Sequence, residues 1–232
     1  MRTAIMQPYF FPYIGYFQLI ASVDLFIVYD NIKYTKKGWI NRNRILLNGK
    51  AVPYSLPLKS ASDSLDVRER ELATDFDRER LVKQLCGAYR RAPYFSQALP
   101  MIEEILLQPE SNLFRFLRHS LVRICERIGI TTPIKASSEI AIDHNLRNRD
   151  KVLALCEAVD AGIYVNAIGG TELYSKEEFR ARGVELAFLQ SKPFAYRQFD
   201  NEFVPWLSII DVLMFNSIAS IGESVRSNYE LV

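Results

Sequence analysis

The first thirty residues constrain the fold most. Arg2 to Met6 reads as a short strand, and Leu25 to Tyr29 is a continuous apolar run of strand length. Between them, Ile14, Phe17, Leu19, Ile20 and Val23 recur at helical spacing over Tyr13 to Val23. Pro8 and Pro12 keep the segment Gln7-Pro8-Tyr9-Phe10-Phe11-Pro12 out of the helix until about Tyr13. Strand, loop, helix and strand in this order make a Rossmann-like βαβ opening.

The next hundred residues read differently. Asn48-Gly49, between Ile45-Leu46-Leu47 and Val52 to Leu56, signals a hairpin closed by a type I′ turn. Asp66 to Arg91 reads as helical with strong mixed charge, stopped by Pro93, and Phe95 to Leu107 as a second helix. Asn112 to Ile128 is the clearest helix. It carries Leu113, Phe116, Leu117, Leu121, Ile124 and Ile128 on one broad face, and Gly129 closes it.

Alternation then resumes. Pro133 to Ser137 is strand-like, Arg149 to Val159 helical and Gly162 to Asn166 a strand. Ser175-Lys176-Glu177-Glu178 is a capping box opening a short helix to about Arg182. Val184 to Leu189 reads as a strand and Leu207 to Asn216 as a final helical run. This order predicts an α/β fold with a mostly parallel sheet. A single domain over residues 1–232 is expected, with a helical subdomain or insertion at about 63–128.

Composition narrows the function classes. With 49% hydrophobic and 24% charged residues, the chain suits an ordinary globular core. A formal net charge of +2 gives no reason to expect nucleic acid as a partner. No signal peptide and no 18-residue apolar stretch is visible, so no membrane span and a cytoplasmic location are expected. Cys86, Cys125 and Cys156 are odd in number and lie among apolar neighbours, which reads as reduced core thiols. There is no zinc spacing, P-loop, complete dinucleotide fingerprint or G-x-S-x-G elbow. The sequence therefore calls for no metal and requires no cofactor. It leaves a homo-oligomer open.

Three features can carry chemistry. From Asn31 to Ser62 there are seven basic residues and no acidic one, whereas Asp63 to Arg80 holds seven acidic and four basic residues. A basic segment with Lys37, Trp39, Arg42, Asn43 and Arg44 suits a small anionic ligand bearing a phosphate or a carboxylate. A solvated basic hairpin is the plainer alternative. The loop after the first strand, with Gln7, Tyr9 and Tyr16, leaves the position where open α/β sheets bind ligands. Asn166, Gly169 and Gly170 follow a later strand, where paired glycines permit close backbone approach; a plain turn gives the same pattern. Asp30, Glu139 and His144 are the candidates for proton transfer, with buried paired carboxylates as the alternative for the two acids.

Pro12-Tyr13-Ile14-Gly15-Tyr16-Phe17-Gln18-Leu19-Ile20 has the shape of the first nucleotidyltransferase signature, with tyrosine at both histidine positions. Ser220 to Arg226 resembles the second. Tyrosine is uncharged at neutral pH and cannot clamp a phosphate as a cation, so the same nucleotidyl transfer is not expected.

A longer resemblance covers nearly the whole chain. Gln7 to Phe17, Asp24, Tyr29-Asp30 and Lys37-Gly38-Trp39-Ile40-Asn41-Arg42-Asn43-Arg44 look like the WbqC-like family. The likeness continues through Ala92-Pro93-Tyr94-Phe95, Ser137-Ser138-Glu139, Tyr164, Gly169-Gly170 and Tyr196-Arg197-Gln198 to Leu207-Ser208-Ile209-Ile210-Asp211. Members are typically encoded among genes for bacterial surface polysaccharide such as O-antigen. The resemblance implies work on nucleotide-linked sugars: N-acyl or aminoacyl transfer to an amino sugar, or non-catalytic binding or assembly in the same pathway. A degenerate nucleotidyltransferase-like enzyme is the remaining alternative.

Overall fold

The computed structural model describes residues 1–200 and 202–232. The chain runs β1 (Arg2–Met6), α1 (Ile14–Ala21), β2 (Leu25–Val28), β3 (Arg42–Leu47), β4 (Lys50–Ser55), α2 (Arg78–Tyr89), α3 (Phe95–Leu107) and α4 (Leu113–Ile128). It continues through β5 (Ile134–Ala136), α5 (Asn148–Ala158), β6 (Ile163–Ala167), α6 (Lys176–Arg180), β7 (Glu185–Ser191), α7 (Ile209–Phe215), α8 (Ile218–Ser227) and β8 (Tyr229–Leu231). The main sheet has the order β5-β2-β1-β6-β7-β8. All its pairings are parallel except the edge pair β7–β8. The fold is thus α/β with a mostly parallel sheet, and β3 and β4 form a separate antiparallel hairpin.

The period-2 alternation of the strands assigns each helix to a face. Ile5, Leu25, Ile27, Tyr164, Leu186 and Phe188 pack with Val152, Leu155 and Cys156 of α5 and Phe179 of α6. Ala4, Phe26, Val28, Val165 and Leu189 point the other way, into a larger core with α1, α4, α7, α8 and the hairpin. A parallel sheet covered on both faces needs strands apolar on both sides, which is why Leu25–Val28 is an unbroken apolar run, buried at every position.

Two segments depart from the expected elements. Asp66 to Arg91 is helical only over α2, with a single 3-10 turn at Val67–Glu69 before it. Residues between are tied by bridges instead: Lys33 to Asp66, Leu58 to Leu72 and Glu71 to Asn112. Long-range backbone pairing outcompetes helix propensity here, and Val67 and Leu72 are buried as anchors. At the other end, Leu207 to Asn216 is not the final helical run. Ser217 caps α8, and β8 closes the sheet edge. Gly222 and three serines weaken the intrinsic helix signal of α8. Ile221 and Val225 nonetheless bury fully on one side.

The loop leaving β1 is held by side chains from distant segments. Phe10 and Phe11 are fully buried, so their carbonyls need protein donors. Asn43 Nδ2 donates to Phe10 O at 3.0 Å and Phe11 O at 2.8 Å, and Ser208 Oγ adds a bond to Phe11 O at 2.8 Å. Phe10 N donates to Trp39 O, and Ile209 N to Pro12 O. A second node ties the hairpin to the helices. The Asp211 carboxylate, fully buried on α7, accepts from Tyr89 Oη, Tyr196 Oη and Gln198 Nε2 at 2.6–2.9 Å. Tyr89 Oη in turn accepts from Leu46 N of β3.

Two outcomes follow from these nodes. Asn43→Ala removes the donor shared by two buried carbonyls and is expected to lower stability by about 2 kcal/mol, read as a drop in the urea midpoint at unchanged slope. Burial pushes the Asp211 carboxyl above its ordinary range, against the three donors that hold it down. The folded state therefore binds this proton before the unfolded chain does. Its stabilising contribution is complete at low pH and is lost as pH rises from about 4 through the raised value. Asp211→Asn removes this dependence, so its penalty is largest near pH 4 and shrinks toward neutrality when unfolding curves are compared across pH.

Candidate functional site

The chain leaves β1 for β2 and β5 on one side and places β6 and β7 on the other. The carboxyl ends of β1 and β6 thus diverge at the topological switch point, where open α/β sheets form their binding crevice. A cleft of about 980 Å³ lies there. Gln7 enters it after β1, Asn31 and Lys33 after β2, Asn166 from the end of β6, and Gly169 and Gly170 after β6. The segment from His144 to Lys151, leading into α5, closes the far wall. Gly170 approaches Asn166 so closely that a Cβ there would lie 2.3 Å from Asn166 Nδ2, which accounts for the glycine at that position.

The cleft is electrostatically one-sided. Lys33, Arg68, Arg147, Arg149 and Lys151 line it, with Asp66 as the single carboxylate. Arg149 pairs with Glu178 and Asp150, and Arg68 reaches Asp66 only at 4.0 Å. Lys33, Arg147 and Lys151 have no carboxylate partner among the described residues. Lys151 is 4% exposed, yet its ammonium has only two backbone carbonyls, Asn31 O at 3.1 Å and His144 O at 3.3 Å, and the face of Tyr29 at 5.3 Å. Burial pushes its pKa below the ordinary lysine range. A cleft of this kind concentrates anions.

His144 is held from behind. The Asn31 side-chain amide lies 2.9 Å from His144 Nδ1, which leaves Nε2 for a ligand. Asn31 Oδ1 lies 2.7 Å from Ser137 Oγ, and Ser137 Oγ lies 2.8 Å from Asp30 Oδ1. One hydroxyl proton cannot serve both acceptors, so the Asp30–Ser137–Asn31 chain decides which way the amide faces and which tautomer His144 adopts.

Tyrosines form the apolar wall. Tyr9, Tyr13, Tyr16, Tyr29, Tyr164 and Tyr174 all line the cleft. Tyr16 Oη donates to Gln7 O at 2.8 Å, and the rings of Tyr9 and Tyr16 pack at 5.6 Å. Burial holds these phenols protonated at neutral pH, and Tyr29 is pushed up to about 12.

Trp39, Asn43 and Arg44 stand apart from this cleft, in a smaller groove of about 190 Å³ that shares Tyr9 and Tyr13 with it. Asn43 faces inward as the pin of the β1 loop. Arg42 folds its guanidinium back onto the carbonyls of Lys37 and Gly38, and neither Arg42 nor Lys37 lines either cavity. Asp30 is 2% exposed and accepts from Ser137 Oγ, Ser138 N and Ser138 Oγ. Glu139 pairs with Arg118 and accepts from Ala136 N. Both carboxylates lie outside the cavities. Of the expected residues, the cleft gathers Gln7, Tyr9, Tyr16, His144, Asn166, Gly169 and Gly170.

Sequence reasoning passed over Asn31, Arg68, Arg147 and Lys151. A signal for the last two existed. Arg147-Asn148-Arg149-Asp150-Lys151 places three cations at the start of a helix, where the macrodipole favours anions.

Among the described residues, no helix is long and apolar enough to cross a membrane. No solved structure matches this chain. An uncharacterized protein of Mycobacterium tuberculosis is 28% identical over 229 residues, which cover 97% of each chain. The WbqC-like protein family matches residues 7–223, from the aromatic loop after β1 to the middle of α8. The chain belongs to the WbqC-like family.

Proposed function

We propose that the switch-point cleft binds the diphosphate of a nucleotide-linked amino sugar and that the protein transfers an acyl or aminoacyl group to the sugar's amine. The observation that carries this reading is the cluster of Lys33, Arg147 and Lys151, none with a carboxylate partner among the described residues, around a cleft with one carboxylate. A diphosphate supplies the missing counter-charge and accepts several charge-assisted hydrogen bonds. Arg68 and Arg147 meet it at the rim. Lys151 meets it from below. The wall of protonated tyrosines offers hydroxyls and ring faces to the sugar, as a hydroxylated ring requires.

His144 is the base in this reading. With the Ser137 proton given to Asp30, the Asn31 amide turns its oxygen toward His144, Nδ1 carries the ring proton, and the Nε2 lone pair takes the amine's proton as the amine attacks the acyl carbon and the donor's leaving group departs. Asp30 acts at one remove, fixing the tautomer through Ser137 and Asn31. Residence among surface-polysaccharide genes is the expected context for such a transferase. A second reading, a non-catalytic binding protein of the same pathway, is favoured by the full engagement of Asp30 and Glu139 in structural contacts.

Two measurements separate these. Pyrophosphate binding by calorimetry is expected to weaken about tenfold in Arg147→Ala, the worth of one charge-assisted bond, and to weaken further with added salt. Binding that ignores both would remove the anion site. Incubation with nucleotide-linked amino sugars and acyl or aminoacyl donors is expected to yield a mass gain by mass spectrometry. His144→Gln is expected to lower that turnover about a hundredfold or more with pyrophosphate affinity unchanged. Binding with no mass gain from any donor would leave the binding protein alone standing.

A further inference from the structure

The smaller groove has properties that its role as a neighbour of the cleft does not explain. Trp39 is 42% exposed and Trp206 61% exposed, and both line it. Trp206 sits at φ +59°, a left-handed conformation that costs a bulky residue free energy and persists where the surroundings impose it. Folding gains little from this arrangement, because the indole remains mostly in water. Its backbone is nonetheless fixed: Arg44 Nη2 donates to Trp206 O at 3.2 Å, and the Tyr13 ring packs edge-on to the indole at 5.7 Å. Trp39 is fixed by the bond from Phe10 N to its carbonyl. The Arg44 guanidinium lies over the Trp39 ring at 5.3 Å. Two indole faces and a cation are thus presented on rigid supports.

The polar groups of the groove select among ring ligands. Asn43 has no donor to spare, since Nδ2 serves Phe10 O and Phe11 O, and its Oδ1 already accepts from Arg44 N at 2.8 Å. A pyranose carries hydroxyls around its whole rim, more than Arg44 and the hydroxyls of Tyr9 and Tyr13 can partner, and burying the remainder is costly. A nucleobase presents two π faces and keeps its polar edge in one plane, which can stay in water while the faces stack. Base–aromatic stacking and an arginine beside the rings match that shape.

We infer that the Trp39–Trp206 groove is a nucleobase-stacking site. It rests on the proposed diphosphate cleft for its place in the ligand: Tyr9 and Tyr13 line both cavities, so a base in the groove and a diphosphate in the cleft belong to one nucleotide.

The chain contains two tryptophans, and both line this groove, so tryptophan emission reports on it directly. Uncharged nucleosides, nucleoside diphosphates, pyrophosphate and free glucosamine are each titrated against the full chain. Nucleosides and nucleoside diphosphates are expected to quench the emission, whereas pyrophosphate binds by calorimetry without quenching. Trp206→Ala is expected to raise the Kd of a nucleoside diphosphate about tenfold, the size of one base–aromatic stack, and to leave that of pyrophosphate unchanged. Trp206→Phe, which keeps a ring, is expected to recover most of the loss. Circular dichroism of the variants checks that the fold is intact. Quenching by nucleosides without any pyrophosphate binding would remove the diphosphate cleft and leave the base site. Absence of quenching by every nucleoside, or quenching by glucosamine alone, would overturn the base site and leave the cleft.

Discussion

One side-chain amide holds the loop on which both cavities depend. Phe10 and Phe11 are inserted into the core, and that insertion strands two carbonyls in an apolar setting. Asn43 Nδ2 serves both. The consequence reaches beyond local satisfaction. With Phe10 and Phe11 driven inward, Tyr9 and Tyr13 at the loop's two ends are displayed outward, where they form the wall between the cleft and the smaller groove. Gly15 completes the arrangement: a Cβ there would lie 2.4 Å from the Tyr13 ring, so α1 can start directly beneath it. Asn43 comes from the hairpin and Ser208 from the start of α7, so two segments distant in sequence fix one loop.

The fold was legible where a local pattern and its tertiary use agreed. The βαβ opening, the Asn48-Gly49 hairpin and the helix from Asn112 to Ile128 each combine a period with a boundary residue, and each forms as read. Residues 66–77 were not legible, because their charges favour helix while bridges to residues 33, 58 and 112 decide their conformation. Such pairings leave no trace in a local window. The same reason hides α8, where Gly222 and the serines dilute a helix that packing stabilises.

The site was legible in part, and the part has a physical logic. Residues at or just after strand ends, Gln7, Asn166, Gly169 and Gly170, were found because strand ends are predictable and ligands gather there. The dense basic run at Lys37 to Arg44 drew attention by its lack of acids, yet Arg42 spends its donors on its own loop. The cations of the cleft come instead from Lys33, Arg68 and the start of α5, scattered over more than a hundred residues. Charge density along a sequence is a poor guide to charge density in space.

Lys151 states the logic of the cleft most clearly. A buried ammonium is normally matched by a carboxylate, because two carbonyl dipoles and an aromatic face compensate its lost hydration only in part. Burial lowers its pKa from the ordinary lysine range, against the opposing pull of Asp66 and Asp30. Arg147 and Arg149 at the start of α5 add positive charge where the helix dipole is already positive, deepening the imbalance. The chain tolerates this because the segment is fixed from elsewhere: by Val152 and Leu155 in the core, by the Arg149–Glu178 ion pair, and by the bonds of Lys151 to Asn31 O and His144 O. In the proposed reading, an anion bound between β2, β6 and α5 would relieve these penalties together. The cations are thus held in place by the fold itself, which is the condition for recognising a charged group without rearranging to meet it.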